Sequence, residues 1–586
     1  MDFLRVDVVK IIAETFNKIG LPVMPVDELL EKTKDDKKVW SLYWTGCTMG
    51  LNQVEREKSS QRCAQYKPKN IEELSAFVAA IRPGFKSMLD TFITRTPFQY
   101  GIPSLDNLLK TPAIPDSFLE YDEQILVILK AAGIPGPDAY AAIKAVKKKK
   151  MEKVASYKQR FKEGFSKHLQ ETENATEEKA NEIVEQIWTI IENAANYMFC
   201  AAHAISMGCD SLYVAWLKAY YPYELYTVML KLYDEKKNKD KISAIISEMK
   251  RFYGITMIPG RFGQDNRDWS ANKEKATISQ SISSVRYISK DAAEELYQLG
   301  LQDEAKIGVE YHPTTYTSEG KKQINAIKKE LRQLKKIYDT EEDPLMSDEE
   351  REELEEQKEA AVAKGIILEE DLRVAEKNPK YIETEAYEEC VTAKLDCFAN
   401  VLRAIQMNTG INSRVIKTLI GIGYFEKFGK TGKLMKVFDA FTEGPMAISK
   451  SIKSFQERLK TLRNYEDSLP DEELPISGRL LNEHENIGLC LSYDKDVPSR
   501  SYFVQQVDDK YSIRVKLYNM RTGKSGTARI SKQLYAYQPL REGDCIKEAK
   551  FEKRPRYSYK NGKRKIIPGE EEVWVTGYNV AQTSAA

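Results

Sequence analysis

The stretch Tyr197–Pro222, YMFCAAHAISMGCDSLYVAWLKAYYP, is where the fold of this chain can first be predicted. It is a long apolar and aromatic run that carries one of the chain's four histidines, and a proline closes it. A segment with apolar residues on nearly every side is typical of a buried helix. Cys200 and His203 stand at helical spacing within it, but no second Cys or His pair supports a metal site or a nucleophile. The stretch therefore predicts a buried helix that carries one histidine.

Composition limits the class of protein before any motif is considered. The 586 residues include 89 Lys+Arg and 88 Asp+Glu, so the net charge of +1 indicates no class of partner. This length predicts roughly three to five domains. The eight cysteines form no CxxC pair, and no segment has the pattern of a signal peptide or of a membrane span. We expect a soluble, mainly helical, cytoplasmic protein with reduced thiols.

A concentration of positive charge lies upstream of the opening stretch, between residues 144 and 162. Glu152 is the only acidic residue among its nine cations, which are Lys144, Lys147, Lys148, Lys149, Lys150, Lys153, Lys158, Arg160 and Lys162. Such a cluster attracts phosphates of a nucleic acid or of a nucleotide. A solvated basic face fits the same pattern equally well.

Residues 316–375 are dominated by Glu and Lys. A narrow stripe of apolar residues repeats at helical spacing in the first half, at Ile324, Ile327, Leu331, Leu334 and Ile337. Asp343-Pro344 interrupts the pattern, and a second charged helix is predicted from about residue 347. The segment predicts a helical hairpin that acts as a spacer or as a docking arm for a partner.

Residues 411–440 have the layout of a helix–hairpin–helix motif. Asn412 is placed to cap a helix, and Gly421-Ile422-Gly423 separates that helix from the next one. Glycine amides in such a turn can approach a DNA phosphate without obstruction by side chains. Many helical hairpins have glycine turns without binding DNA, so this interpretation stays open at the level of the motif.

Residues 500–580 read as a β domain of five short strands, which favours an OB-type barrel. The last predicted hairpin combines cations with aromatic rings, a pattern typical of a surface for single-stranded nucleic acid. A basic hairpin without a partner is the less favoured reading. The candidate DNA-binding residues here are Lys553, Arg554, Arg556, Tyr557, Tyr559, Lys563 and Arg564.

In this order along the chain, the features resemble the C-terminal half of bacterial DNA polymerase III alpha subunits, the C-family replicative polymerases. The resemblance covers nearly the whole chain except the charged insert. Each motif is degenerate, and their shared order carries the resemblance. The motifs are Asp2-Phe3-Leu4, Gly50-Leu51-Asn52-Gln53-Val54-Glu55, Arg82-Pro83-Gly84, Tyr121-Asp122-Glu123-Gln124, the basic segment 143–150, His203-Ala204 and Leu217-Lys218.

The resemblance implies a multidomain, mainly α fold with a C-terminal OB-type β-barrel, and an N-terminal strand that completes a palm supplied elsewhere. The implied parts are residues 1–12 as the end of the palm, 13–300 as the fingers, 301–395 as the charged helical-hairpin insert, 396–465 as the helix–hairpin–helix and clamp-proximal region, 466–499 as a connector and 500–586 as the OB-fold.

The resemblance also implies chemistry. In the family the palm strand supplies the third of three carboxylates that hold two Mg²⁺ ions, which makes Asp2 a catalytic metal ligand. The first two carboxylates precede the matching segment, so we expect DNA synthesis only together with a separate N-terminal half, as in a split, phage-encoded polymerase. The implied nucleotide-binding residues are Arg82, Lys144, Lys147, Lys148 and His203, and Gly421 and Gly423 are implied to contact DNA.

The sequence departs from the family at three places. The family's pair of cations on the fingers helix falls at Ile143 and Lys144, Asn-Lys-Ser becomes Cys200-Ala201-Ala202, and Phe-Gln becomes Asn52-Gln53. These changes bear on nucleotide affinity and are typical of a divergent viral or mobile-element copy.

The implied partners are DNA primer-template, single-stranded template, deoxynucleoside triphosphates and the N-terminal polymerase half, in a bacterial cell or a phage-infected host. A sliding clamp is also a partner in the family, although its one candidate peptide, Gln456–Leu459, lacks the expected aromatic ending. The alternative function is a non-catalytic, polymerase-derived protein that binds single-stranded DNA or replisome components.

Overall fold

A computed structural model of the chain describes residues 7–82, 85, 87–110, 115–148, 150–195, 199–341, 346–560 and 563–581. The chain divides into two compact units. Unit 1 comprises residues 1–260, 265–290 and 475–586, and unit 2 comprises residues 261–264 and 291–474. Within the described ranges, no helix has the length and apolar character needed to cross a membrane.

The first part of unit 1 is helical. Its helices are α1 Asp7–Ile19, α2 Val26–Thr33, α3 Lys37–Thr45, α4 Glu57–Tyr66, α5 Ile71–Ala80, α6 Leu89–Ile93, α7 Pro103–Leu109, α8 Asp122–Ala131, α9 Gly136–Lys147, α10 Met151–Glu173, α11 Glu177–Ala195, α12 Ala201–Tyr220, α13 Pro222–Glu235 and α14 Lys239–Tyr253. A small sheet follows, made of β1 Thr256–Ile258, β2 Ser270–Asn272 and β3 Thr277–Ser279, in the order β1-β3-β2.

Residues Ala201–Tyr220 of the opening stretch form α12, which confirms the prediction of a buried helix. Burial is concentrated in its C-terminal part, where Trp216 lies face to face with Phe16 of α1 at 6.0 Å between ring centroids. The N-terminal turn is more open, and Ile205 there is 46% exposed. The helix thus anchors the core at one end and presents a surface at the other.

The basic segment 144–162 is divided between two helices. Helix α9 ends at Lys147 and α10 begins at Met151, so the cations do not share one helical face. Both helices pack into a core with α7, α8 and α11, built around Phe161, Phe165 and Trp188. The apolar side of each helix is therefore buried, and its lysines are left at the surface.

Unit 2 contains the predicted hairpin. Its elements are α15 Lys290–Gly300, β4 Glu304–His312, β5 Thr315–Tyr316, α16 Ser318–Tyr338, α17 Asp348–Lys377, β6 Ile382–Thr384, β7 Tyr387–Lys394, α18 Phe398–Asn408, α19 Ser413–Gly421, α20 Thr431–Thr442 and α21 Phe455–Ser468. Ile324 and Ile327 of α16 pack with Ala375 of α17, which confirms the helical hairpin. The antiparallel strand pairs β4/β7 and β5/β6 at its base were not predicted from the sequence.

The C-terminal part of unit 1 begins with α22 Ile476–Asn486 and continues into a β domain. Its elements are β8 Tyr502–Asp508, β9 Arg514–Asn519, β10 Ser525–Ile530, α23 Lys532–Tyr537, β11 Cys545–Lys560 and β12 Lys563–Ala581. The five strands close into a barrel in the order β10-β12-β11-β8-β9 around a core that includes Val515 and Val575. The last two strands are much longer than the short strands predicted from the sequence and continue as one long hairpin.

Candidate functional site

A short contact between two distant segments of unit 1 organises the candidate site. Tyr121 and Phe199 form an isolated parallel bridge. The amide of Asp122 donates to the carbonyl of Phe199 at 3.1 Å, and the amide of Phe199 donates to the carbonyl of Glu120 at 3.3 Å. These bonds hold the N-terminus of α8 beside the N-terminus of α12. Residues that are about 80 positions apart in sequence are thereby brought together.

Arg82 and His203 both contact the ring of Phe199. The Arg82 guanidinium lies 4.2 Å from the ring centroid, and the His203 ring lies 5.0 Å from it, centroid to centroid. Arg82 also donates from Nη2 to the Met207 sulfur at 3.7 Å, while its Nε is buried without a hydrogen-bond partner among the described residues. An arginine fixed by an aromatic ring keeps its planar fork ready for a phosphate. The structure therefore brings two predicted nucleotide-binding residues together.

The first turn of α12 is capped by a carboxylate from the other segment. The Ala201 amide donates to Glu123 Oε2 at 2.9 Å, and the Cys200 thiol donates to Oε1 of the same residue at 3.3 Å. A helix N-terminus leaves amides without helical partners and favours negative charge. Glu123 meets both requirements, which explains why a glutamate follows the bridge at Tyr121.

The lysines of α9 differ in their surroundings. Lys147 pairs with Asp122, so it lies next to the bridged segments. Lys144 lies on the exposed side of α9, where its ammonium is 4.4 Å from the Tyr140 ring centroid. Lys148 follows the last turn and is exposed. Ile143 stands where the family has the first of its two cations, and it is buried in the core at 4% exposure. A cation at this position would lose the apolar packing that Ile143 provides.

Asp210 belongs to this surface but was missed from the sequence. It lies seven residues after His203, on the same side of α12, and its carboxylate accepts from Asn52 Nδ2 at 3.5 Å. Burial raises the pKa of the Asp210 carboxyl, while the Asn52 hydrogen bond and the nearby His203 act in the opposite direction. The available signal was a single acidic residue in an otherwise apolar helix.

A buried ion pair fixes the loop that carries Asn52. Lys218 of α12 donates to Glu248 Oε1 at 2.6 Å and to the carbonyls of Cys47 and Met49 at 3.2 and 2.5 Å. Glu248 also accepts from the Met49 amide at 2.8 Å and from the Tyr226 hydroxyl at 2.8 Å. Each charged group is buried and has several partners, as a stable buried pair requires. Lys218 is therefore a structural residue.

The glycine turn after α19 uses its own backbone groups. Gly421 is buried as the last residue of that helix. Gly423 has a positive φ of 78°, its amide donates to the Ile420 carbonyl at 2.9 Å, and its carbonyl accepts from Arg261 Nη1 at 2.7 Å. A DNA phosphate at this turn would compete with the Ile420 carbonyl for the Gly423 amide, which already donates to that carbonyl. The DNA contact of both glycines stays a prediction.

The cations of the long hairpin are partly neutralised. Three of the predicted DNA-binding residues have a carboxylate partner: Lys553 with Glu571 at 3.4 Å, Arg554 with Glu552 at 2.7 Å and Arg556 with Glu570 at 2.9 Å. The side chains of Tyr559, Lys563 and Arg564 lie outside the described residues, whereas Tyr557 is half-buried. Residues 556–565 include five cations and no acidic residue. Positive charge is therefore concentrated in sequence towards the hairpin tip.

Two aromatic residues of the barrel are exposed to an unusual degree. Tyr511, between β8 and β9, is 93% exposed, and Tyr537, at the end of α23, is 87% exposed. Exposed rings on a barrel are suited to stacking on unpaired bases. Nothing in the local sequence distinguishes these two from the other 30 tyrosines, so only the structure identifies them.

Comparison with known proteins shows what this chain is similar to. Residues 10–169 match the family model described as the bacterial DNA polymerase III alpha subunit finger domain. The DNA polymerase III alpha subunit of Campylobacter jejuni is 28% identical over 311 residues, which cover 51% of this chain and 24% of that protein. The alpha subunit of Aquifex aeolicus is 31% identical over 237 residues, 39% of this chain and 19% of that protein. The chain is related to the bacterial DNA polymerase III alpha subunit.

The similarity covers only part of this chain and a smaller part of each alpha subunit. A third alpha subunit, from Staphylococcus aureus, is 30% identical over 273 residues, 45% of this chain and 24% of that protein. The chain therefore spans about a quarter of the length of these curated alpha subunits. Arg82, Tyr121 and Lys147 all lie inside the matched finger domain.

Asp2, the predicted catalytic metal ligand, lies outside the described residues, as do Pro83 and Gly84 of the Arg-Pro-Gly motif. Among the residues that are described, no group of three His, Cys, Asp or Glu side chains is placed to hold a metal ion.

Replacing Arg82 with Gln is expected to weaken the binding of a deoxynucleoside triphosphate to the chain at least about tenfold, because a hydrogen bond to a charged group contributes about 1.5–3 kcal/mol. Calorimetric titration of the chain with the triphosphate measures this. Arg56→Gln is the matched control, since Arg56 is exposed at the start of α4. Equal affinities of Arg82→Gln and the unmodified chain would exclude a phosphate contact at Arg82.

Proposed function

We propose that this chain supplies the nucleotide-binding and template-binding part of a DNA polymerase that carries out template-directed nucleotidyl transfer together with a separate N-terminal half. The observation that carries the proposal is the grouping of Arg82, His203 and Lys147 around the Tyr121–Phe199 bridge. Arg82 and His203 lie on the Phe199 ring, and Lys147 lies beside the bridge through its pair with Asp122. Cationic or ionisable side chains grouped in this way suit the negative charge of a triphosphate.

The chain's own residues are assigned to binding and orientation. Arg82 is held flat by Phe199, and Lys147 is held by Asp122, so their positions are set before a nucleotide arrives. Orientation of the reacting groups contributes to catalysis by reducing the entropy lost in the transition state. Mg²⁺ would supply stabilisation of the charge that develops on the phosphate oxygens. In this proposal Asp2 holds it jointly with carboxylates of the other polypeptide, an assignment that depends on the resemblance alone.

The barrel is assigned to the single-stranded template. Its strand order, with β10 beside β12 in parallel and α23 between β10 and β11, supports an OB-type fold. OB-type barrels bind single strands through charged grooves and exposed rings. The exposed Tyr511 and the basic tip of the β11–β12 hairpin have the required chemistry.

The same barrel favours the second candidate, a polymerase-derived protein that binds single-stranded DNA without catalysis. That function needs Tyr511 and the hairpin but makes no use of the arginine on Phe199. A test of synthesis therefore separates the two candidates.

The experiment is primer extension with Mg²⁺ and deoxynucleoside triphosphates. The chain alone is expected to extend no primer, and a mixture with a polypeptide that carries the family's other palm carboxylates is expected to extend it. Extension by the chain alone would overturn the split arrangement. A mixture that binds primer-template DNA but never extends it would favour the non-catalytic candidate.

A further inference from the structure

Glu120 carries a carboxyl group that is buried directly beside the Tyr121–Phe199 bridge. The residue is 5% exposed, and neither carboxyl oxygen has a hydrogen-bond partner among the residues that the structure describes. Its backbone belongs to the bridge, because its carbonyl accepts from the Phe199 amide and its amide donates to Gln124 Oε1 at 2.7 Å. Buried polar groups in folded proteins are nearly always hydrogen-bonded. An unpaired carboxyl at this position therefore needs an explanation.

This carboxyl lies beside a cluster of aromatic rings. Phe118, two residues earlier, packs against Phe92 at 5.4 Å between ring centroids, and Phe92 stacks on Tyr66 at 4.7 Å. Burial is the main cause that raises the pKa of the Tyr66 and Tyr121 hydroxyls, and the charge of the nearby Glu120 contributes to both. Such surroundings cannot solvate a negative charge, so ionisation of the carboxyl in place is unfavourable.

Within the described ranges, no cation pairs with the Glu120 carboxyl to offset its charge. Arg95 is engaged by Glu73 at 2.6 Å, and Arg82 lies on the ring of Phe199. Burial raises the pKa of the Glu120 carboxyl well above its usual range, and the negative charge of Asp116 adds to the rise. The closed structure therefore favours the neutral carboxyl. The ionisable groups around it are Asp116 on the same segment, Tyr66 on α4, Tyr121 and Glu123 at α8, Glu73 and Arg95 beyond Tyr66, and Arg82 and His203 at Phe199.

The bridge holds further buried groups that lack partners. Arg82 Nε and Asp122 Oδ1 have no hydrogen-bond partner within the described part of the chain. Two backbone hydrogen bonds, at 3.1 and 3.3 Å, join the two segments at the bridge. Buried polar groups without partners lower the free energy needed to open such a contact to water. An ionised Glu120 would gain solvation only in the opened form, so its negative charge and the closed bridge exclude each other.

We propose that nucleotide binding is coupled to protonation of Glu120: the Tyr121–Phe199 bridge stays closed while this carboxyl is neutral and opens when it ionises. The proposal rests on the proposed function, because the bridge positions the ring that carries Arg82 and His203. Opening would separate the N-terminus of α8 from that of α12 and release this ring. A triphosphate binds the closed form and, by linkage, favours uptake of a proton from solvent at Glu120.

The direction of the pH effect follows from the raised pKa of Glu120. The stability that the neutral carboxyl gives to the closed bridge is complete below the pKa of an exposed glutamate, about 4.3. It is lost as the pH rises from there through the raised pKa of the buried group. For one proton, the ratio of closed to open bridge falls by up to about tenfold per pH unit over this interval. The affinity for a triphosphate is expected to fall over the same interval.

Hydrogen–deuterium exchange of the full chain measures the bridge without a nucleotide. Protection of the Asp122 and Phe199 amides, corrected for the intrinsic exchange rate, is expected to fall at least about tenfold from about pH 5 to about pH 9. Glu120→Gln keeps the shape of the side chain but cannot ionise, so its protection should not follow pH. Glu120→Leu tests the same point where a buried amide disturbs folding. Glu72→Gln, which removes a charge from an exposed position in α5, should behave as the unmodified chain.

Calorimetric titration with dATP and Mg²⁺ over the same pH range tests the coupling. The affinity of Glu120→Gln relative to the unmodified chain is expected to rise with pH by at least about fivefold. Titration of His203 and of the triphosphate is common to both chains and cancels in this ratio. A ratio that stays constant with pH, or bridge protection with the same pH dependence in both chains, would overturn the coupling alone. A pH-dependent bridge in a chain that binds dATP at no pH would overturn the proposed nucleotide site and the coupling with it.

Discussion

Replacing Lys218 with Met is expected to lower the free energy of unfolding of unit 1 by about 3–5 kcal/mol. The substitution keeps most of the apolar volume but leaves the Glu248 carboxylate buried at 7% exposure without its cation. It also leaves the carbonyls of Cys47 and Met49 without their donor. Each of these buried polar groups loses a partner that water cannot replace. The cost is therefore larger than that of a typical substitution.

Urea unfolding followed by tryptophan fluorescence measures this effect for unit 1 specifically. All six tryptophans, at positions 40, 44, 188, 216, 269 and 574, lie in that unit. Lys37→Met is the matched control, because Lys37 is exposed in α3 and its replacement should change stability by less than about 0.5 kcal/mol. A loss below about 1 kcal/mol for Lys218→Met would show that the loop is held by other contacts.

The network also has a consequence for Cys47. Burial raises the pKa of this thiol to about 11, although Lys218 acts in the opposite direction. The thiol therefore stays protonated at neutral pH, and Cys47 is a packing residue of the loop that Lys218 holds.

If the proposed function holds, replacing Asp2 with Ala is expected to abolish primer extension by the mixture of this chain with a polypeptide that carries the other palm carboxylates. The loss of one carboxylate from a two-metal site removes about 4 kcal/mol or more of transition-state stabilisation, which corresponds to at least about 10³-fold in rate. Binding of primer-template DNA should be unchanged, because the proposed DNA contacts lie in other parts of the chain. Single-turnover extension with saturating nucleotide is the measurement.

Asp7→Ala is the control for Asp2. Asp7 lies five residues further on, at the start of α1, where its carboxylate pairs with Lys236. Its removal should cost only the small free energy of a surface pair, about 0–1 kcal/mol, and leave the rate unchanged. Equal activity of Asp2→Ala and Asp7→Ala would remove Asp2 from the proposed catalytic site.

The spacing of apolar residues along the sequence was sufficient to predict individual helices. The apolar run of α12 and the narrow stripe of α16 predicted a buried helix and a helical hairpin, because helical periodicity is a property of neighbouring residues. The division of the basic segment between α9 and α10 was not evident, since no proline or glycine separates Lys147 from Met151. The length of the β11–β12 hairpin was missed for a related reason: its basic residues do not alternate with apolar ones.

By itself, the sequence determined that the chain is mainly helical, that it carries a charged hairpin and a C-terminal β domain, and that it resembles the polymerase family. Only the tertiary structure decided which residues meet. The bridge between Tyr121 and Phe199 joins Arg82 to His203, and the register of β11 and β12 pairs Arg556 with Glu570. These contacts depend on packing between segments far apart in sequence, and no local pattern encodes the distance between them. Lys218 shows the same limit, because its charge suggests a surface residue and its burial in α12 makes it a structural one.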